Sequence, residues 1–152
     1  DIDKYYALVV GSNVLGGGPH SKLFVNVREK ESLCYYIFSS IEKYKSIMFI
    51  SSGIETKDYD KAVELIKKQV ESVKAGDISD EELENSKLAL VNSMKSITDN
   101  IGGMSDFVFS QSMAKTNSEV QDIISSIEKV TKKDIVEAIK NIELDTVYFL
   151  RN

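Results

Sequence analysis

The chain of 152 residues has one cysteine, one proline and one histidine. With Cys34 alone an internal disulfide is impossible, and a reducing compartment, here the cytoplasm, is the expectation. One proline and eight glycines leave little room for a disordered linker. No apolar run approaches the ~20 residues that cross a bilayer. Basic residues are the scarcer sign, 19 Lys plus Arg against 24 Asp plus Glu, for a formal net charge of −5. That balance argues against non-specific nucleic-acid binding and offers no polybasic anchor to an anionic membrane. The chain opens at Asp1, without an initiating Met, inside a helical pattern, so a piece of something longer is expected.

What is present is ordinary for a globular domain: 42% apolar and 28% charged residues. Residues 1–152 are read as a single domain or a domain fragment. Tyr5, Leu8, Val9 and Leu15 recur at helical spacing, with Asp1 and Asp3 at the positive end of that helix. Gly16-Gly17-Gly18-Pro19 stops it. Ser21 caps a short helix that places Leu23, Phe24 and Val27 on one side.

Cys34 to Lys43 alternates, with Tyr35, Ile37, Ser39 and Ile41 on one face and Cys34, Tyr36, Phe38 and Ser40 on the other. With Ser46 to Ile54 it reads as a hairpin turning near Lys43-Tyr44-Lys45. Apolar residues on both faces predict a sheet covered on both sides, at least in part. Tyr59, Ala62, Val63, Ile66, Val70 and Val73 stripe a helix from Asp58 to Lys74, ended by Gly76. Ser79-Asp80-Glu81-Glu82 is a capping box opening a long helix. Gly102-Gly103 breaks that pattern, and helices follow from about Met104, from near Asn117, and after a Thr131 cap. Asp145 to Leu150 reads as a terminal strand. The order predicts an α+β fold, a largely antiparallel sheet covered by helices.

The stretch from Gly16 to Tyr36 carries the functional candidates. It runs from a breaker through a short helix and a turn into a strand, with Arg28 and Tyr35 on either side of the turn. From the residues alone, an Arg ending a helix is a solvated cation favoured by the helix dipole, and a Tyr opening a strand is half-buried packing. Gly16-Gly17-Gly18 lacks the Gly-Lys-Ser/Thr of a phosphate loop. His20 reads as a turn residue, Cys34 as packing, the acids from Asp80 to Glu84 as capping, and Lys132-Lys133 as a solvated face.

Gly16-Gly17-Gly18, Ser21-Lys22-Leu23-Phe24, Val27-Arg28-Glu29-Lys30 and Leu33-Cys34-Tyr35 together resemble the insulinase, pitrilysin and mitochondrial-processing-peptidase family of zinc peptidases. Ser32 stands where the family usually has Gly, which predicts a differently shaped turn there. Ser52-Gly53-Ile54 and Gly76 to Leu83 extend the likeness over nearly the whole chain. The family signature H-x-x-E-H sets two His on one helical face to bind zinc. With His20 as the one histidine, that site cannot form.

The resemblance implies the second half of a non-catalytic, zinc-free domain of the processing-peptidase-like (LuxS/metallohydrolase-like) fold. It implies no metal in this chain and zinc in a partner domain or subunit. The domain would complete the peptide-binding chamber of a zinc-dependent metalloendopeptidase, inactive alone. Arg28 and Tyr35 match the family residues that bind substrate near the scissile bond, and Tyr36 is the rival tyrosine. A catalytically dead structural or assembly subunit of the same fold is the alternative. Exposed sheet edges are expected to pair copies of the fragment into a homodimer.

Overall fold

The structure, a computed structural model, describes residues 2–114 and 116–151. Asp1, assigned above to the first helix's positive end, lies outside them. The helix α1 (Ile2–Gly16) is the centre of the molecule. Its buried residues include Tyr6, Ala7, Val10, Val14 and Leu15, and span most of its circumference. The stripe of Tyr5, Leu8, Val9 and Leu15 therefore understates its burial. A helix apolar nearly all round must be enclosed, and this one is.

It is enclosed by one small sheet and four helices. The strands β1 (Cys34–Glu42) and β2 (Ile47–Ile54) form an antiparallel hairpin. A short 3₁₀ turn, Lys43–Lys45, joins them, and Ser46 closes it at φ 53°. The helices α2 (Tyr59–Lys74), α3 (Asp80–Thr98), α4 (Ile101–Ala114), α5 (Val120–Lys129) and α6 (Lys132–Ile139) follow. Of these, α2, α3, α5 and α6 touch α1, while α4 packs on α3. Ile123, Ile124 and Ile127 of α5 and Ile135 and Ile139 of α6 join Val10, Val14, Leu23 and Val27 in one core. Each such aliphatic side chain contributes about 1.5–3 kcal/mol on burial.

The helix starts follow the capping logic. Ser79 Oγ accepts from Glu82 N at 3.0 Å, and Glu82 Oε2 accepts from Ser79 N at 2.8 Å. Thr131 and Asp134 repeat the device at α6, and Gly76, at φ 80°, follows the end of α2. Gly102-Gly103 is not the break. Asn100 makes it, its Oδ1 accepting from both glycine amides at 2.9 and 3.2 Å, so both glycines sit in the first turn of α4. Glu119 and Asp122 start α5 at Val120 rather than near Asn117.

Two expectations fail at the sheet. Residues 143–151 form no strand. A strand needs a neighbour with open ladder groups; this segment runs instead to the start of α2, where Phe149 stacks on Tyr59 at 4.3 Å. The sheet of the described residues is the hairpin alone, α+β and antiparallel as read, with two strands. Its second face is also open. Ile37, Ser39, Met48 and Ile50 face the core, whereas Tyr36, Phe38, Ile47 and Phe49 are exposed and touch one another's rings where aromatic. Among the described residues no helix is long and apolar enough to cross a membrane.

The C-terminus of α1 lies directly on β1. A Cβ on Gly16 would come within 2.5 Å of the Ser39 backbone nitrogen. Ser39 Oγ donates to the Ser12 carbonyl at 2.6 Å, and the two hydroxyls lie 3.1 Å apart, all buried. Backbone at that distance cannot give way as a side chain could. Gly16→Ala should therefore cost about 2 kcal/mol or more, read as a lowered urea midpoint. Gly18→Ala, whose nearest neighbour is His20 at 3.4 Å, should change it by less than about 0.5 kcal/mol.

Candidate functional site

Between α1 and β1 the chain makes one widened turn of helix. Ser21 Oγ accepts from Phe24 N at 3.4 Å. From Phe24 to Glu29 the backbone is π-helical, and Lys30 N donates to Val25 O at 3.0 Å. Leu23 and Val27, both fully buried, pin this turn to the core and leave Arg28 on its outer side. Single π-turns are rare and recur at functional sites. The expected short helix is present, with one more residue per turn than its apolar spacing suggested.

The turn reverses at Ser32, which has φ 53° and donates its N–H to Arg28 O at 3.0 Å. That left-handed conformation is the reason a glycine suits this position. Ser32 adopts it nonetheless, so the residue difference leaves no sign in the backbone hand of the turn. Leu33 is buried and returns the chain to the sheet.

At the start of β1 the ladder slips. Cys34 pairs with Ile54 and Tyr36 with Gly53, leaving Tyr35 as the extra residue of a β-bulge. The bulge overturns the expected alternation. Cys34 moves onto the core face with Ile37, and Tyr35, 69% exposed, leaves it. Tyr36 lies on the opposite face, its ring over Gly53, where a Cβ would come within 2.5 Å of it. Tyr36 thus lies on the outer aromatic face of the hairpin, over Gly53, and Tyr35 projects from the bulge.

Arg28 and Tyr35 are brought together. Arg28 Nε donates to the Tyr35 carbonyl at 3.0 Å, and the guanidinium carbon lies 4.6 Å from the centre of the Phe24 ring. One hydrogen bond and one aromatic platform hold the group by its inner edge. Among the described residues no carboxylate pairs with it, while Lys57 pairs with Glu55 at 2.8 Å and Lys61 with Glu31 at 2.6 Å. Its two terminal nitrogens form a fork suited to two acceptor oxygens. The Tyr35 hydroxyl donates to Glu55 Oε1 at 3.3 Å. Lys57 first, and Tyr35 second, hold the Glu55 carboxyl below its usual range.

Arg28 and Tyr35 are donors, and the one acceptor beside them is the Glu55 carboxylate, which holds the Tyr35 hydroxyl. The Arg28 guanidinium and the Tyr35 hydroxyl are donors of the kind that bind a carbonyl or a carboxylate and stabilise negative charge. Phe24 as platform and Glu55 as phenol acceptor escape a reading of the chain in order. Glu55 lies beside Tyr35 because Cys34 pairs with Ile54, which hairpin register could have suggested.

The remaining candidates are structural. His20 Nε2 meets Asn13 Oδ1 at 3.1 Å, and burial lowers the imidazole's pKa, favouring its neutral form. Burial pushes the Cys34 thiol up, with Ser52 and Arg28 pulling the other way. Among the described residues no group of three or more His, Cys, Asp and Glu side chains could hold a metal. One imidazole already engaged by an amide does not fit a two-histidine zinc site.

Comparison with known proteins gives the family. Residues 1–90 match the family described as the Peptidase M16 inactive domain. The chain belongs to that family. The probable inactive metalloprotease YmfF of Bacillus subtilis (strain 168) is 42% identical over 147 residues, covering 97% of this chain and 34% of that protein. A conserved protein from Enterococcus faecalis V583 superposes with a TM-score of 0.83 at 36% identity, over 90% of this chain and 32% of its own. The peptidase M16 inactive domain from Pseudomonas fluorescens shares the fold, with a TM-score of 0.77 at 21% identity, over 92% of this chain and 35% of its own. This M16 inactive domain spans about a third of the length of each of these relatives.

If Ser32 holds its left-handed conformation against its own preference, Ser32→Gly should stabilise the chain by about 1 kcal/mol. A raised urea midpoint is the expected outcome, and a lowered one contradicts the strained turn.

Proposed function

We propose that this chain is part of the zinc-free half of a zinc-dependent metalloendopeptidase, where it completes the peptide-binding chamber. Zinc and its ligands belong to a partner domain or subunit of the same family. Arg28 and Tyr35 contact the peptide near the scissile bond. The observation that carries this reading is the Arg28 guanidinium, fixed by the Tyr35 carbonyl and Phe24 and paired with no carboxylate among the described residues.

The chemistry follows from where charge develops. Attack on a peptide carbonyl places negative charge on its oxygen. Donors fixed in advance stabilise that charge without reorganising. A guanidinium supplies charge and two parallel N–H groups, and a phenol supplies one O–H. The Tyr35 hydroxyl would leave Glu55 for the substrate, exchanging one hydrogen bond for another.

In the assembled peptidase, Arg28→Ala and Tyr35→Phe should each lower kcat/KM by roughly 100-fold, about 3 kcal/mol for one lost donor. Unchanged turnover in both variants rules the contact out. The chain alone should show no chelator-sensitive peptide hydrolysis.

A second reading, a structural or assembly subunit without a substrate role, is favoured by one observation: the Tyr35 hydroxyl already has an acceptor in Glu55. A neighbouring gene or domain bearing H-x-x-E-H supports the peptidase, and none supports the scaffold. The single reduced cysteine fits a cytoplasmic setting for either. The hairpin's outer edges also support self-association by strand addition. Light scattering should give a mass that rises above the monomer with concentration, and a constant monomer mass excludes it.

A further inference from the structure

The segment that carries Arg28 is tied to the helices behind it by two polar contacts, each with one buried partner, that the substrate-binding reading does not use. Lys22 is 6% exposed, and its ammonium lies 3.0 Å from Glu82 Oε1. Glu82 is itself fixed, because its other oxygen accepts from the Ser79 amide in the capping box of α3. One turn on, Asn26 Nδ2 donates to Oε1 of Gln69 at 2.8 Å, and Gln69 is a buried residue of α2. Arg28 follows two residues later on the outer side of the same turn.

Stability does not account for these ties. Taking the Lys22 charge from water costs hydration that a partly exposed carboxylate returns only in part, and an apolar side chain of similar volume often serves as well. What such a pair supplies is register. Leu23 and Val27 anchor the segment by contact that is indifferent to small slides. A lysine held 3.0 Å from the fixed Glu82 carboxylate and 3.9 Å from that of Asp77, and an amide meeting one amide, each fit a narrow range of placements. A π-turn has poorer internal hydrogen bonding than an α-helix and needs such external definition.

We propose that Lys22 and Asn26 are positioning residues for Arg28. They lock the π-turn to the start of α3 and to α2, and so set the direction of the guanidinium. The inference rests on Arg28 being the substrate contact, yet it concerns geometry and can be tested apart from turnover.

The test is hydrogen exchange of the Arg28 Nε–H, followed by NMR in the intact chain. That proton is shielded by its bond to the Tyr35 carbonyl. Lys22→Met and Asn26→Ala should each speed its exchange by about tenfold or more, with the core amides of Val10 and Val14 still protected. Lys87→Met, which removes a comparable lysine tie between α3 and the Glu128 carbonyl, should leave it unchanged. If Lys22→Met does not fold, Glu82→Gln reports the same tie, because it keeps an acceptor for the Ser79 amide. Wild-type exchange at Arg28 in the folded variants overturns the proposal. Loss of core protection together with Arg28 protection overturns it too, since the residues would then be general stabilisers. Unchanged turnover on Arg28→Ala would instead remove the substrate role and leave this geometric result standing.

Discussion

The structure depends on one close approach, the C-terminus of α1 against the backbone of β1. Gly16 allows it, and the Ser12–Ser39 hydrogen bonds close it in a buried setting where each polar group needs a partner. Because helix and strand are locked there, the 17 residues between Gly16 and Cys34 must form a closed excursion with both ends fixed. The excursion cannot drift, so a widened turn and a left-handed serine can persist in it. Arg28 lies within it on the π-turn, and Tyr35 just past its end on the bulge of the strand.

Two kinds of contact then divide the work. Apolar burial of Leu23, Val27 and Leu33 holds the excursion against the core and contributes most of the free energy. Directional contacts set its angle: Lys22 to Glu82, Asn26 to Gln69, and Arg28 to the Tyr35 carbonyl. The outcome is an oriented cation and an adjacent phenol with no acid–base machinery of their own. That is consistent with membership in the M16 inactive domain family, whose name marks the absence of catalysis.

Local signals in the chain gave reliable guidance. The Ser79–Glu82 box, the Thr131 cap, the Gly76 stop and the Lys43–Lys45 turn are each written within a few residues, and each forms. Features made by distant residues were not legible. Period-two alternation cannot show a bulge, because the bulge exists only against β2; hence the misplaced faces of Cys34 and Tyr35. The terminal segment has strand composition, but pairing depends on an open neighbouring edge. Glu55 and Gln69 enter the site through register and helix packing, which no local pattern encodes. Arg28 and Tyr35 were identified through the motif resemblance, and the structure adds that the one holds the other's backbone.

In the proposed role Tyr35, and not Tyr36, faces the peptide. Site-specific photocrosslinking tests it most directly. Tyr35→benzoylphenylalanine and Tyr36→benzoylphenylalanine would each be assembled with the zinc-bearing partner and a labelled peptide, then irradiated. Peptide adducts are expected from position 35 and none from position 36. Adducts from position 36 alone, or from neither, would contradict it.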